Sequence, residues 1–140
     1  MKHVINPVVI CTIPTIDSGS LFCFEGMRDL PFEIKRIYYI TGVQAGMERG
    51  RHAHKNLQQF LFCPYGEVLL KLDNGSDREN ITLCEPSHGV IITGPVWRDL
   101  LWKKSNSVLC VAASDYYCAS DYIRDYQEFI NYITNKILAK

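Results

Sequence analysis

The sequence from Gly46 to Lys55 reads GMERGRHAHK and holds two histidines, His52 and His54, separated by a single alanine. In a β-strand, side chains two residues apart point to the same face of the sheet, and the residue between them points to the other face. An extended segment therefore directs both imidazoles into one space. Two histidines that share a cavity can act as an acid–base pair or as half of a metal site, and the spacing alone leaves both open.

Short strands are predicted around this segment. Alternating apolar and polar residues bounded by turn signals are typical of strands, and the Asn74-Gly75 pair suits the positive φ of a hairpin turn. Strands are predicted at Ser20–Glu25, Glu33–Thr41, Gln58–Cys63, Glu67–Asp73, Ile81–Cys84, Val90–Thr93, Asp99–Trp102 and Val108–Ala113. Strands at this short, regular spacing favour an antiparallel sandwich or barrel.

The C-terminal segment changes from a strand period to a helical one. Apolar residues recur at helical spacing at Tyr122, Tyr126, Phe129, Ile130, Ile133 and Ile137. This pattern predicts an amphipathic helix of about four turns over about residues 121–137, capped by Ser120 or Asp121 and packed on the barrel or on a partner subunit. The barrel is expected at about 16–118, and the whole chain, 1–140, is expected to form one domain because no repeat or linker divides it.

Composition excludes several classes of protein. Fifteen Lys and Arg balance fifteen Asp and Glu, so the zero net charge argues against a nucleic-acid polymer as partner. The short apolar run from Val8 to Ile13 is not long enough to span a membrane, and no phosphate-binding glycine loop or dinucleotide fingerprint is present. Six cysteines, none in a Cys-x-x-Cys pair, lie mostly in apolar runs, which predicts buried free thiols and a cytoplasmic location.

The spacing around the histidine pair resembles the first motif of the cupin superfamily. The matching positions are Gly46, His52, His54, Gln59 and Gly66. Gln59 stands where metal-binding cupins usually carry Glu, and Leu100 or a near neighbour stands where they carry a third histidine. A catalytic transition metal needs about three protein ligands. The resemblance therefore implies an all-β fold, a cupin-type antiparallel β-barrel (jelly roll) with a C-terminal α-helix, and no metal.

A closer resemblance runs from about Ile16 to about Ile133. It rests on RGRHAHK at Arg49–Lys55, LDNG at Leu72–Gly75, GPVW at Gly94–Trp97, ASDYY at Ala113–Tyr117 and DYIRDY at Asp121–Tyr126. These blocks look like the sugar 3,4-ketoisomerases that act on dTDP-4-keto-6-deoxyglucose. The resemblance implies a homodimeric enzyme without a cofactor. Such an enzyme supplies 3-keto sugars to aminotransferases that make 3-amino-3,6-dideoxyhexoses for surface glycans such as the O-antigen of lipopolysaccharide.

Two positions qualify that resemblance. Family members often read Asp-x-Arg-Gly-Ser-Leu near the N-terminus, whereas residues 17–21 read DSGSL and lack the arginine. A family contact made through that arginine is therefore not carried over. The resemblance associates arginine at the position of Arg98 with a gluco product and histidine with a galacto product, which favours gluco for this chain.

Moving a ketone from C4 to C3 needs proton transfer and no redox cofactor. A base removes the C3 proton, a proton passes between O3 and O4, and C4 is then reprotonated. Imidazole, with an ordinary pKa of about 6.5, suits these steps. His54 is assigned as the carbon base and His52 as the shuttle between the oxygens, and the reverse assignment stays open.

Donors and cations complete the predicted site. Arg49, Gln59 and one strand tyrosine are candidate donors to the enediolate; Tyr38 and Tyr39 alternate, so one faces the interior, and Tyr39 is favoured. Arg51 precedes His52 and should point away from both histidines, toward a neighbouring loop or subunit. The other substrate-binding candidates are Lys55, Lys71 and Arg98 for the diphosphate and Trp97 or Trp102 for stacking on the sugar or the thymine. The block Asp121–Tyr126 is expected to be a docking surface of the helix rather than a catalytic element.

Three other interpretations fit the same residues. A metal-dependent cupin enzyme would use the histidines as ligands, and a 3,5-epimerase-like cupin would exchange protons at C3 and C5 while the ketone stays at C4. A non-enzymatic sugar-binding cupin would bind without turnover. A homodimer is expected, with the edge strand Val8–Ile13 as an element that subunits can exchange.

Overall fold

A computed structural model describes residues 6–139 of the chain, and residues 1–5 and 140 lie outside this range. The described residues form twelve strands, a single-turn 3-10 helix at Ala119–Asp121 and one α-helix, α1, at Tyr126–Leu138. The strands are β1 (Asn6–Val9), β2 (Cys11–Pro14), β3 (Ser20–Cys23), β4 (Arg36–Ile40), β5 (Glu48–His54), β6 (Gln59–Tyr65), β7 (Val68–Asp73), β8 (Arg78–Leu83), β9 (His88–Ile92), β10 (Trp97–Trp102), β11 (Val108–Ala113) and β12 (Tyr122–Ile123).

The strands form two five-stranded antiparallel sheets and a separate hairpin. The first sheet has the order β1-β9-β6-β11-β4, the second has the order β12-β5-β10-β7-β8, and β2 pairs with β3. The pairings between described strands leave the two sheets unclosed. The predicted all-β architecture with one C-terminal helix is confirmed.

The main core lies between the inner faces of the two sheets. It draws alternate apolar residues from both, including Leu61 and Val111 of the first sheet and Leu70, Leu100 and Trp102 of the second. The indole N–H of Trp102 donates to the Ser107 carbonyl at 2.9 Å, so the one polar atom of this large side chain is satisfied. The predicted period-two pattern therefore builds the interior, and Trp102 belongs to the core rather than to a ligand site.

Helix α1 covers the outer face of the second sheet. Its fully buried Phe129 packs in one cluster with Ala53, Trp97 and Ile123. Asp125 caps the helix by accepting a 3.0 Å hydrogen bond from the Glu128 backbone N–H. Packing of the predicted amphipathic helix against the chain's own sheet is confirmed.

Truncating Phe129 should remove the main anchor of α1. Phe129→Ala is expected to lower the free energy of unfolding by about 3–5 kcal/mol, because it deletes a fully buried aromatic ring. Urea denaturation followed by circular dichroism measures the loss. Ile137→Ala, on the same helix but 64 % exposed, is the control and should cost less than about 1 kcal/mol. Equal losses in the two variants would contradict this account of the helix.

The helix begins later than predicted. Residues 122–123 form strand β12, which pairs with β5, so the backbone there is extended. The side chain of Asp121 accepts from His54 and from the Asn56 backbone N–H, and Ser120 contacts Cys118. Neither predicted residue is therefore available as the cap. The prediction that the helix starts at 121 is wrong because tertiary hydrogen bonds override a local periodicity.

The N-terminal segment also differs from its prediction. The expected strand Val8–Ile13 is divided between β1 and β2, with buried Ile10 between them. Strand β1 pairs with β9 of the same chain, so the first sheet includes residues well before position 16.

The cysteines are free but only partly buried. All six carry free thiols, yet Cys63 alone is buried, while Cys11, Cys84 and Cys118 are exposed. Cys11 and its cross-strand neighbour Cys23 lie on the β2–β3 hairpin outside the sandwich, which accounts for the exposure of these two, while Cys84 and Cys118 lie outside the strands. No helix within residues 6–139 is long and apolar enough to cross a membrane.

Candidate active site

Strand β5 presents both histidines on its inner face. The rings of His52 and His54 lie 4.9 Å apart between centroids, with an angle of 87° between their planes. His54 is completely buried and His52 is half-buried. Ala53 faces the opposite way, into the cluster beneath α1. The prediction that the two imidazoles share one space is confirmed.

A β-bulge interrupts β5 just before His52. In the pairing with β10, His52 lies opposite Arg98 and Gly50 lies opposite Asp99, which leaves Arg51 as an extra residue. Gly50 and Arg51 have φ angles of +86° and +55°. A Cβ on Gly50 would lie 3.1 Å from the Arg98 carbonyl oxygen, so both the backbone angle and the close approach favour glycine.

The bulge decides which arginine shares a face with the histidines. Arg49 lies opposite Leu100, a residue of the main core, so Arg49 belongs to the inner face although it is three residues from His52. Its side chain is exposed. Arg51 instead lines a groove of about 700 Å³ on the outer face, with Trp97 and other residues. The structure thus supports the inner-face position of Arg49, and it places Arg51 away from both imidazoles, as predicted.

Asp121 holds His54 from the far end of the chain. One carboxylate oxygen lies 3.0 Å from His54 Nδ1, and the other accepts from the Asn56 backbone N–H at 2.8 Å. The Asp121 carbonyl accepts from Lys55, so this segment is tied to β5 on both sides of the side chain. Because an ionised carboxylate only accepts hydrogen bonds, Nδ1 is assigned the proton. His54 Nε2, which is buried and has no hydrogen-bond partner among the described residues, then carries a lone pair.

A second buried polar group lies opposite His52 on the inner face of the second sheet. Arg98 is 2 % exposed and donates to Gln59 Oε1 and to the Val96 carbonyl. Gln59 Nε2 in turn donates to the Tyr38 hydroxyl at 3.1 Å. The guanidinium is therefore a buried cation opposite His52, with an uncharged hydrogen-bond partner. Two of its donors serve these internal acceptors, whereas its buried Nε has no hydrogen-bond partner among the described residues, so its binding of the diphosphate stays a prediction.

The choice between the two tyrosines of β4 is corrected. Tyr38 is half-buried on the inner face and bonds Gln59, whereas Tyr39 is 69 % exposed on the outer face. The predicted alternation is right, but the inward residue is the other one. The cause is the register of β4 against β11, in which Tyr38 lies opposite core residue Val111.

The tryptophans do not line the histidine cavity. Trp97 packs edge-on against Tyr126 at 5.4 Å and belongs to the cluster beneath α1, on the outer face of its sheet. The aromatic ring beside the imidazoles is that of Tyr122. Its centroid lies 4.4 Å from that of His54 and 5.1 Å from that of His52. Tyr122 is therefore the aromatic residue next to the histidine pair, whereas Trp97 lies on the other face of the sheet.

A cavity of about 250 Å³ adjoins His54 and Tyr122. Two cationic side chains, Arg36 and Lys55, are among the residues that line it. The Nε atom of Arg36 is buried without a hydrogen-bond partner within the described range. The structure therefore keeps Lys55 as a diphosphate candidate and adds Arg36, whereas Lys71 pairs with Glu48 on the outer face.

Burial keeps both imidazoles uncharged. Burial, and secondarily Arg98, lowers the pKa of His52 to about 4. Burial also lowers the pKa of His54, with Arg98 and His52 adding to the effect and Asp121 opposing it. Burial raises the pKa of Tyr38, so its hydroxyl keeps its hydrogen. At neutral pH this inner-face cluster thus contains two neutral imidazoles, a phenol donor and a buried guanidinium, whose pKa burial lowers only to about 10.

These pKa shifts predict how stability depends on pH. The unfolded chain binds more protons than the native one between about pH 6.5 and pH 4, so the free energy of unfolding falls as pH drops through this window. His52 alone should lower the free energy of unfolding by on the order of 2 kcal/mol between neutral pH and pH 4.5. Urea titrations from pH 7.5 to 4.5 should show a smaller decline for His52→Asn. His88→Asn, at an exposed histidine, is the control and should decline like wild type.

The residues facing the cavity do not fit a three-ligand metal site. No group of three or more His, Cys, Asp or Glu side chains that could hold a metal occurs between residues 6 and 139. Gln59, at the cupin Glu position, is committed to Arg98 and Tyr38, and Leu100 is in the apolar core. Among the described residues, the histidine pair therefore lacks a third metal-ligating side chain.

Sequence reasoning missed Asp121, Tyr122 and Arg36 as residues of the site. Asp121 and Tyr122 lie in the block Asp121–Tyr126, whose apolar spacing predicts helix and a docking surface. A local signal did exist, because the block is one of those that carry the family resemblance. Its role becomes visible only when β12 pairs with β5 and brings Asp121 to His54.

The chain is similar to known proteins in sequence and in structure. Residues 7–134 match the family described as FdtA: WxcM-like, C-terminal. A TDP-4-oxo-6-deoxy-α-D-glucose 3,4-oxoisomerase of Aneurinibacillus thermoaerophilus is 43% identical over 126 residues, which cover 89% of this chain and 91% of the relative.

Two solved structures are similar over most of their length. One is a histidine-to-asparagine variant of the 3,4-ketoisomerase QdtA from Thermoanaerobacterium thermosaccharolyticum, in complex with TDP-4-keto-6-deoxyglucose. It has a TM-score of 0.91 and 38% identity, and the match covers 99% of each chain. The other is the TDP-quinovose 3,4-ketoisomerase WlaRB of Campylobacter jejuni, with a TM-score of 0.86, 38% identity and coverage of 91% of this chain and 97% of that one.

Proposed function

The chain belongs to the FdtA family, and from this membership we propose that it is a sugar-nucleotide 3,4-ketoisomerase. Its substrate is dTDP-4-keto-6-deoxyglucose and its product is the 3-keto isomer. The observation that carries the proposal is the state of His54, whose Nδ1 is held by Asp121 while Nε2 faces no protein partner within the described range. A neutral imidazole oriented in this way is a general base ready to accept a proton.

The first step takes the proton from C3. His54 Nε2 accepts it, the C3–H bond breaks, and its electron pair forms the C3–C4 double bond while negative charge moves to O4. The resulting imidazolium is stabilised by the carboxylate of Asp121, which lies 3.0 Å from Nδ1. This pairing favours His54 over His52 as the carbon base, because no carboxylate holds His52 in the structure's described residues.

The second step moves a proton between oxygens. His52 gives a proton to O4 and takes one from O3, and C4 then accepts the proton held by His54, which leaves the ketone at C3. C4 is reduced as C3 is oxidised, so no external electron donor is needed. The positive charge of the buried Arg98 and the hydroxyl of the half-buried Tyr38 stabilise the enediolate.

The product has the gluco configuration in this proposal. Arg98 lies directly opposite His52 in the sheet, next to the proposed proton shuttle. The name of the relative WlaRB includes quinovose, which is the gluco sugar. The 3-keto product is then the substrate for a 3-aminotransferase, and the enzyme acts in the cytoplasm without a metal or cofactor.

A homodimer is the proposed assembly. The β2–β3 hairpin and the end of β1 expose Val9, Ile13, Leu21 and Phe22, each at least 40 % exposed. Ile13 and Leu21 are cross-strand partners in the hairpin, and a second copy of the chain would remove such exposed apolar side chains from water. Light scattering after size-exclusion chromatography should give twice the mass of one chain, and a monomer at micromolar concentration would contradict the assembly.

Incubation with dTDP-4-keto-6-deoxyglucose tests the function directly. NMR in deuterated water, with and without EDTA and with a coupled 3-aminotransferase, should detect a 3-keto sugar whose C4 configuration is gluco. A ketone that stays at C4 with deuterium at C3 and C5 would instead indicate epimerase chemistry. Binding without turnover would indicate a sugar-binding protein, and activity lost in EDTA would indicate a metal enzyme.

A further inference from the structure

Gln59 connects two residues of the cavity that lie on different sheets. It is 1 % exposed at the start of β6 in the first sheet. On one side it accepts a hydrogen bond from Arg98 of β10 in the second sheet, and on the other it donates to Tyr38 of β4. Hydrogen bonds therefore link the buried guanidinium, the amide and the phenol in series.

The chemistry of these groups gives the series one direction. A guanidinium has only donors, so the amide atom that faces Arg98 must be Oε1. The NH₂ group of Gln59 then faces Tyr38, and the phenol oxygen acts as acceptor. The phenol's own hydrogen cannot point toward Gln59, because a donor already occupies that side. Within residues 6–139, no acceptor is hydrogen-bonded to this hydroxyl, so its hydrogen is free for a ligand.

The neighbours of Tyr38 locate its phenol in the fold. The phenol lies on the inner face of β4, and Arg36 lies over its ring at 5.3 Å. Arg98, the first member of the series, lies opposite His52. We propose that Gln59 is a positioning residue, which orients the Tyr38 hydroxyl so that its hydrogen is donated to the C4 keto oxygen and to the enediolate that follows. This inference rests on the proposed function.

A glutamate at position 59 could not replace the amide in this role. Its carboxylate has only acceptors, so it would bond Arg98 and would also attract the hydroxyl hydrogen of Tyr38 away from the ligand. It would also neutralise the positive charge of Arg98 beside the histidines. Of the two side chains, only the amide therefore accepts a hydrogen bond from Arg98 and donates one to Tyr38 at the same time. This explains in chemical terms why Gln occupies the position.

A double-mutant cycle between Gln59 and Tyr38 tests the inference. Tyr38→Phe should lower kcat about 100-fold, the usual loss for one donor to a developing oxyanion. Gln59→Met, which keeps the length of the side chain, should lower kcat about tenfold with KM within about threefold of wild type. In the Tyr38→Phe protein, the same Gln59→Met change should lower kcat less than about twofold, because the group it positions is gone.

Equal losses from Gln59→Met in both backgrounds would overturn the inference, since a merely structural role does not depend on the phenol. Gln58→Met, at the adjacent glutamine, is the matched control and should keep wild-type kcat. If the Met variant fails to fold by circular dichroism, Gln59→Glu replaces it, and its loss of kcat should shrink at least about fivefold in the Tyr38→Phe background. An unchanged loss would again overturn the inference.

A binding measurement separates this inference from the proposed function. In the His54→Asn protein, calorimetry gives the ratio of the affinities for dTDP-4-keto-6-deoxyglucose and for TDP. Gln59→Met should lower this ratio about fivefold or more, because only the keto sugar offers an acceptor to Tyr38. An unchanged ratio would contradict the positioning role even if wild type is an active isomerase. Conversely, a wild type that makes no 3-keto sugar refutes the proposed function, whatever the ratio.

Discussion

Replacing His54 with asparagine should lower the rate of 3-keto sugar formation by about 10³-fold or more, because the cavity loses its general base. Asparagine is smaller than histidine, and its amide can still donate to Asp121, so the fold and the affinity for TDP should change little. NMR of the product gives the rate, and calorimetry gives the affinity. His88→Asn, at an exposed histidine, is the control. Wild-type turnover by His54→Asn would exclude the imidazole from the chemistry.

Solvent exchange distinguishes the roles of the two histidines. If His54 takes the carbon proton, His52→Asn should still exchange the C3 proton of the substrate with deuterated water while it forms almost no 3-keto product. His54→Asn should do neither. The reverse pattern would assign the carbon base to His52 and would contradict a catalytic role for the contact between Asp121 and His54.

The second large effect is expected from Asp121→Asn, which should lower kcat by roughly 10²- to 10⁴-fold. The physical reason is the tautomer of His54. The single oxygen of an asparagine side chain would be taken by the Asn56 backbone N–H, which bonds one oxygen of the aspartate at 2.8 Å. The NH₂ group would then face Nδ1 of His54. A donor at that place moves the imidazole hydrogen to Nε2, and the lone pair that accepts the C3 proton is lost.

Two measurements separate this effect from a loss of structure. Nitrogen-15 NMR of labelled histidine should show the hydrogen of His54 on Nδ1 in wild type and on Nε2 in the Asp121→Asn protein. Asp125→Asn, four residues away, is the matched control, because asparagine caps a helix as well as aspartate does. Full activity in Asp121→Asn, or an unchanged tautomer, would contradict this mechanism.

The fold was predictable where local patterns act alone. Alternation of apolar residues located β4, β6, β7 and β11 to within a few residues, because a half-buried strand needs that pattern in any sheet. Helix α1 was also predictable, but its first residue was not. Tyr122 stands at helical spacing, yet its backbone pairs with His54 of β5. A sequence period reports a tendency, and it does not report which hydrogen-bonding partner is nearby.

The site was predictable only in part, for a related reason. Alternation requires Tyr38 and Tyr39 to face opposite ways, but only the register against β11 shows that Tyr38 faces inward. Trp97 was expected to contact the ligand, yet it is buried beneath α1. The inner-face position of Arg49 depends on a bulge at Arg51, and an unbroken alternation from His52 would have placed Arg49 outside.

By itself, the sequence determined that His52 and His54 point into one space and that a third metal ligand is missing from the expected position. The first follows from local stereochemistry, and the second from the residue at a position that the cupin resemblance marks; neither needs knowledge of distant contacts. The tertiary structure alone decided that Asp121, 67 positions away, holds His54, and that Arg98 and Gln59 meet Tyr38 between two sheets. The physical reason is that burial and hydrogen bonding between distant strands set the charge and proton state of each group, and these depend on strand register.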